Sequence, residues 1–137
     1  MNKTLTDIER LADEIHYKSS LLRFQGEMAD LITHSNRVWY VVSNTNTHSF
    51  ELVSPKLCHR LGYTHREMCE RPYFEFMDTA TRAATRAAMD DLADTKNNQY
   101  VKFVNTYITK SGEPVRLEWL DAVFLSSGNW LATVHEV

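Results

Sequence analysis

Residues 54–77 read SPKLCHRLGYTHREMCERPYFEFM. The segment SPKLCHRLG is expected to form a short helix that ends at Gly62, a residue that tolerates the left-handed cap conformation. Thr64 and Glu67 have the spacing of a capping box, in which each side chain satisfies a backbone N–H of the first turn. The helix they open runs through Met68 and Cys69 and is stopped by Arg71-Pro72. The same stretch holds both cysteines of the chain, Cys58 and Cys69, together with His59 and His65. A metal site is the first reading of such a cluster, but the spacing argues against it. Structural zinc sites present their ligands from Cys-x₂₋₄-Cys knuckles, and adjacent helical residues such as Cys58 and His59 point about 100° apart. No metal ligand is therefore assigned.

Composition bounds the rest. The chain has 137 residues, enough for one ordinary domain, and 43% of them are hydrophobic. Four glycines and three prolines leave little room for flexible linkers. No apolar run approaches the ~20 residues a membrane span needs, and no leader-like apolar stretch follows Met1. Two cysteines without a secretory segment lead to the expectation of a reducing, cytoplasmic setting. A net charge of −3 offers no footprint for nucleic acid or an anionic membrane.

Upstream, residues 1–35 read as an amphipathic flanking helix and residues 36–137 as the main domain. Thr6 with Glu9 suggests a capping box at the start of the helix. Leu5, Ile8, Leu11, Ala12, Ile15, Leu22, Ala29 and Ile32 follow at helical spacing, and Ile8, Ile15, Leu22 and Ala29 lie seven apart, as in a coiled-coil seam. Lys18, Ser19, Gln25 and Gly26 fall where the other half of the seam should be apolar. An isolated helix does not hold itself in water. The stripe is thus expected either to pack back on its own domain or to pair with a second chain through Ile8, Leu11, Ile15 and Leu22.

Downstream of that helix, RVWYVVS and HSFELVS flank NTNT and read as a hairpin. Asp78 is placed to cap a helix, Thr79 to Lys96, whose expected inner face is Ala80, Ala84, Ala87, Ala88 and Leu92. QYVKFVNTYIT and PVRLEWLDAVFL alternate with period two around KSGE, with Gly112 in the turn, and NWLATVHEV supplies a fifth strand. The fold class is α+β: a five-stranded antiparallel sheet with short helices on one face and an N-terminal flanking helix.

This ordered set resembles the PAS sensory domain. The likeness rests on Ser54-Pro55, Leu57-Cys58, Leu61-Gly62-Tyr63-Thr64, Glu67 and Arg71-Pro72, then Thr81-Arg82, Lys110-Ser111-Gly112, Leu117-Glu118-Trp119 and the terminal VHEV. It covers roughly Val38 to Val137. By the resemblance, Cys58 and Cys69 take inward apolar positions and His59 and His65 take solvent-facing ones. The family encloses a pocket that binds a cofactor or small metabolite. Alternation places Phe103, Asn105 and Tyr107 on one face of their strand, Val115, Leu117 and Trp119 on the next, and Trp130, Ala132 and Val134 on the last. Val41, Leu57, Leu61, Phe74 and Met77 would close the other side. The lining is apolar apart from Asn105 and the Tyr107 hydroxyl.

Two cofactor chemistries of the family are disfavoured by this sequence. The reactive-cysteine place of the photosensory LOV version is Tyr73 here, and the places of its flavin-holding asparagines are Tyr107 and Leu117. The haem version draws an axial histidine from the long helix, and Thr79–Lys96 contains none; His48, His59 and His135 lie elsewhere. A flavin held without a covalent bond, flanked by Trp119 and Trp130, or a small metabolite remains compatible. The chain carries no nucleophile elbow, His-Glu-x-x-His, P-loop or dinucleotide fingerprint, and no catalytic residue is assigned. The expected function is that of a bacterial-type sensory module. It would bind a small ligand, signal through a homodimer, and drive an output module such as a histidine kinase or a cyclic-dinucleotide enzyme in a longer parent chain. The alternative is a ligand-free dimerisation or docking unit.

Overall fold

The computed structural model describes residues 3–34, 39–95 and 99–137. Helix α1 (Lys3–His34) comes first, followed by strands β1 (Trp39–Asn44) and β2 (Ser49–Val53). Helices α2 (Pro55–Leu61) and α3 (His65–Glu70), a single 3-10 turn (Tyr73–Phe76) and helix α4 (Thr79–Thr95) then lead to β3 (Gln99–Ile108), β4 (Pro114–Phe124) and β5 (Trp130–Glu136). The strands form one antiparallel sheet in the order β2-β1-β5-β4-β3. Chain ends and middle are thereby interleaved, since β5 returns to lie between β1 and β4. Arg37, Val38 and Lys96, expected at element ends, lie outside the described residues, as does the boundary between residues 35 and 36.

Local chemistry explains the connections. Asn44 folds its own turn, its side-chain oxygen accepting from the N–H groups of Asn46 (2.9 Å) and Thr47 (3.2 Å). Gly62 ends α2 at φ 82°, with its N–H on the carbonyl of Cys58 at 2.9 Å. The Thr64–Glu67 capping box opens α3 with both reciprocal bonds made. Asp78 accepts from the N–H of Ala80 at 2.7 Å and so starts α4. Gly112 takes φ 95° in the β3–β4 turn.

The sheet is covered on both faces. On the inner face α2, α3 and the 3-10 turn bury Leu57, Leu61, Met68, Phe74 and Phe76 against Val41, Val115, Leu117 and Val134. On the outer face Val42, Leu52, Leu125 and Leu131 surround Phe24 of α1, with Tyr17 and Leu21 beside it. Alternation in β1 assigns Val41 to one core and Val42 to the other.

Three expectations are corrected. Helix α1 begins at Lys3, so Thr6 is already inside it and is not its N-cap. The face of α1 that packs on the domain is Tyr17, Leu21 and Phe24, while Ile8, Leu11, Ile15 and Leu22 all remain more than half exposed. The helix therefore has two apolar faces: the expected stripe does not pack back on its own domain, and a different face does. Among the described side chains of α4 the buried one is Thr85, with Ala88 and Met89 partly buried, whereas Ala80, Ala84 and Ala87 are exposed. Alanine gains little from burial, and Thr85 can go inside because its hydroxyl donates to the Thr81 carbonyl at 2.9 Å. The side chain of Leu92 lies outside the described residues.

Candidate ligand core and helix-docking site

The inner core gathers most of the expected lining. Val41, Leu57, Leu61, Phe74, Met77, Tyr107 and Leu117 belong to one buried cluster, with Trp119 and Ala132 packed against it. Phe103 is half-buried and pairs with Trp119 across β3–β4. Asn105 is 2% exposed and its amide is occupied by neighbours. Its oxygen accepts from the Trp119 indole N–H at 2.9 Å, and its nitrogen donates to the Thr85 hydroxyl at 3.3 Å. Asn105→Ala leaves the Trp119 N–H without that acceptor, and should cost about 1–2 kcal/mol in a urea melt. Trp130 stands apart at the far end of the inner face with Ala122 and Phe124. Trp119 faces Val134 and Trp130 faces Phe124, ladder positions four residues or about 13 Å apart along β5, and the two indoles belong to different clusters.

Two buried side-chain polar groups have no hydrogen-bond partner among the described residues, the Tyr73 hydroxyl in this core and the Trp130 indole N–H beyond it. Tyr73 packs against Phe50 and Phe74 and beside His48, and burial pushes its hydroxyl up to about 12. Burial likewise raises the Tyr107 hydroxyl. Both phenols are neutral donors in the physiological range. Nothing in the sequence pattern marked the Tyr73 hydroxyl, because a phenol at that position reads equally as core.

The second site joins α1 to α3. Asp13 caps α3 from outside, its carboxylate accepting from the N–H groups of His65 (2.9 Å) and Arg66 (3.0 Å). Tyr17 and Tyr40 share a hydroxyl–hydroxyl hydrogen bond, and Arg23 pairs with Glu51 at 3.3 Å. His65, expected to face solvent, is only 2% exposed. The reason is a set of polar partners the sequence did not reveal. The Val53 N–H donates to its Nε2 at 3.1 Å, and its Nδ1 lies 2.6 Å from His16 Nδ1. Burial, reinforced by His16 and opposed by Asp13, lowers its pKa to about 4. His59 is exposed and Cys58 buried, as expected.

Cys69, half-buried, has its Sγ 3.8 Å from the His65 ring nitrogens. His16, His65 and Cys69 thus bring three ligand-type atoms within 4.8 Å of one another. The hydrogen bonds decide how the cluster works. Since Val53 donates to Nε2, that nitrogen is bare and the proton of neutral His65 sits on Nδ1, aimed at His16. A metal on Nδ1 would have to displace that proton and break the Val53 bond. The two Nδ1 atoms are also closer than the roughly 3.3 Å that separates two nitrogens on tetrahedral zinc. Burial pushes the Cys69 thiol up to about 12 and raises Cys58 as well, so neither is a thiolate at neutral pH. The arrangement is a hydrogen-bonded histidine pair with a neutral thiol beside it.

No protein-family model and no curated protein matches the sequence. Solved structures do match the fold. A Rhodobacter sphaeroides LOV protein superposes with a TM-score of 0.66 at 14% identity, over 84% of this chain and 68% of that one. A domain of a sensory box sensor histidine kinase/response regulator from Geobacter sulfurreducens gives 0.61 at 18% identity, over 83% and 96%. The PAS-B domain of Drosophila melanogaster Cycle, with bound ethylene glycol, gives 0.63 at 10% identity, over 72% and 99%. The fold of this chain is the PAS fold.

Proposed function

We propose that the chain is a signal-transduction module: a PAS domain that holds a small ligand in its inner core and relays occupancy through α1. The relay ends in a second copy of the chain and an output module such as a histidine kinase or a cyclic-dinucleotide enzyme. One observation carries this reading. Helix α1 is clamped to the domain by one apolar face and presents a second, heptad-spaced apolar face outward, which suits an element that transmits a change in the domain to a partner. The reading is non-enzymatic. Ion pairs such as Arg60–Glu136 and His135–Glu118 tie surface elements together.

The unpartnered Tyr73 hydroxyl supports a ligand with a hydrogen-bond acceptor, since a buried phenol without a partner costs about 1–3 kcal/mol. The satisfied Asn105 favours the second reading, a filled core in a docking module. Among the described residues no helix is long and apolar enough to cross a membrane, and a cytoplasmic setting is part of the proposal. Native mass spectrometry of the freshly purified chain separates the two readings. A mass excess that vanishes on denaturation is expected. A bare mass, unchanged after incubation with extract metabolites, would remove the ligand from the proposal and leave the docking module.

A further inference from the structure

We propose that the inner core is a site for a small organic acid: its apolar body lies over Ser43, its carboxylate accepts from the Tyr73 hydroxyl, and a second oxygen at its far end accepts from the Trp130 indole N–H. This rests on the ligand-binding reading above and names the class of ligand.

The register of the sheet brings the two donors to one place. Ser43 pairs with Phe50 on one side and with Trp130 on the other, and Trp130 pairs in turn with Phe124. Alternation puts this row on the inner face, since Val41 and Phe50 belong to the inner cluster while Val42 and Leu131 belong to the outer one. Phe50 and Trp130 are thus two strand spacings apart, about 10 Å, with only a serine side chain between them in the row. Tyr73 packs at the Phe50 end, the two ring centroids 5.4 Å apart. Trp130, at the other end, packs with Ala122 and Phe124 in a cluster separate from the one that holds Tyr73. Among the described side chains, the packing of the inner face is therefore interrupted between the two donors.

Their chemistry selects what can lie there. Tyr73 is 2% exposed and Trp130 1%, and neither polar atom has a partner among the described residues. An indole nitrogen only donates. The Tyr73 phenol keeps its proton throughout the physiological range, because burial holds it up at about 12. The buried amide nearby offers no acceptor in exchange: the Asn105 oxygen is on the Trp119 N–H, and its nitrogen donates to Thr85. Two donors without an acceptor favour a molecule that carries oxygen at both ends.

Charge at the Tyr73 end selects the carboxylate. The guanidinium of Arg86 on α4 lies 4.5 Å from the centre of the Phe74 ring, which itself packs on Tyr73. Its positive charge acts on the Tyr73 hydroxyl more strongly than the negative charge of Asp90 does. A phenol oxygen can accept from an ammonium group, but the Arg86 cation beside it repels one. A carboxylate there gains both the hydroxyl donor and the cation.

The test uses the full chain and three probes of one shape: 4-acetylbenzoate, 4-ethylbenzoate, which lacks the second acceptor, and 4-acetylbenzylamine, which replaces the carboxylate with a cation. The readout is the indole region of the proton–nitrogen-15 spectrum, with the Trp130 signal assigned by its loss in Trp130→Phe. Trp119, whose N–H is already on Asn105, is the internal control. 4-Acetylbenzoate should bind at millimolar concentration and move the Trp130 proton downfield while the Trp119 signal moves little. 4-Ethylbenzoate should bind about tenfold more weakly, and the amine should not bind. Tyr73→Phe separates a ligand contact from a structural one, because it removes only the hydroxyl. Without ligand the variant should melt about 3 °C above the natural chain, yet bind 4-acetylbenzoate about tenfold more weakly. Equal binding of the amine, a Trp130 signal that neither acid moves, failure of both acids to bind, or a Tyr73→Phe chain that melts lower would each overturn the proposal. A mass excess in native mass spectrometry alongside any of these would leave the ligand reading standing and refute only the class of ligand.

Discussion

The Phe24→Ala chain keeps its five-stranded core but holds α1 on it roughly a hundredfold less tightly. Phe24 is 4% exposed and sits among Val42, Leu52, Leu125 and Leu131 on the outer face of the sheet. Truncating a buried phenylalanine costs about 3 kcal/mol or more, the sum of lost transfer energy and an unfilled cavity. Here the loss falls on docking, because Phe24 is the buried aromatic that α1 contributes to that face. The inner core around Leu57, Leu61 and Leu117 is on the opposite side of the sheet and does not touch it. Limited proteolysis should therefore cut α1 rapidly in the variant while the fragment containing β1 to β5 persists. Simultaneous loss of both would mean that the two faces of the sheet unfold as one unit. The undocked variant also bares Val42, Leu52 and Leu131, so it should bind a hydrophobic dye that the natural chain does not.

Most of the inner half of this architecture was legible in the sequence. The capping box at Thr64 and Glu67, the left-handed cap at Gly62 and the period-two strands each act through neighbours within a few residues, and each was read correctly. What escaped depends on partners far along the chain. His65 reads as a polar surface residue until the Val53 N–H and His16, 49 positions away, supply its hydrogen bonds. Asp13 reads as a solvated acid, yet it caps a helix 52 positions downstream. The docking face of α1 was visible as Tyr17, Leu21 and Phe24 at helical spacing. It was overshadowed by the more regular heptad of Ile8, Ile15 and Leu22, which spacing alone could not assign to its own domain or to another. The inner face of α4 failed for a different reason: a run of alanines has too little side-chain volume to fix its own rotation, and the hydroxyl chemistry of Thr85 set it instead.

The exposed stripe carries the largest expected change in assembly. Ile15 and Leu22 are 57% and 71% exposed on the side of α1 away from the sheet. Aspartate at both positions should leave the domain's own packing intact, at a helix-propensity cost of about 0.5 kcal/mol each. In a paired seam the same two changes would bury carboxylates against apolar partners, a penalty of several kcal/mol per ion, enough to abolish association at micromolar concentration. The central claim, that α1 grips its own domain with one face and a second copy with the other, is tested most directly by light scattering on the natural chain and on the Ile15→Asp/Leu22→Asp variant. The account predicts twice the chain mass for the first and the single mass for the second, with the same helical signal in circular dichroism. Dimers that survive the double substitution, or a natural chain that is monomeric at every concentration, would contradict it.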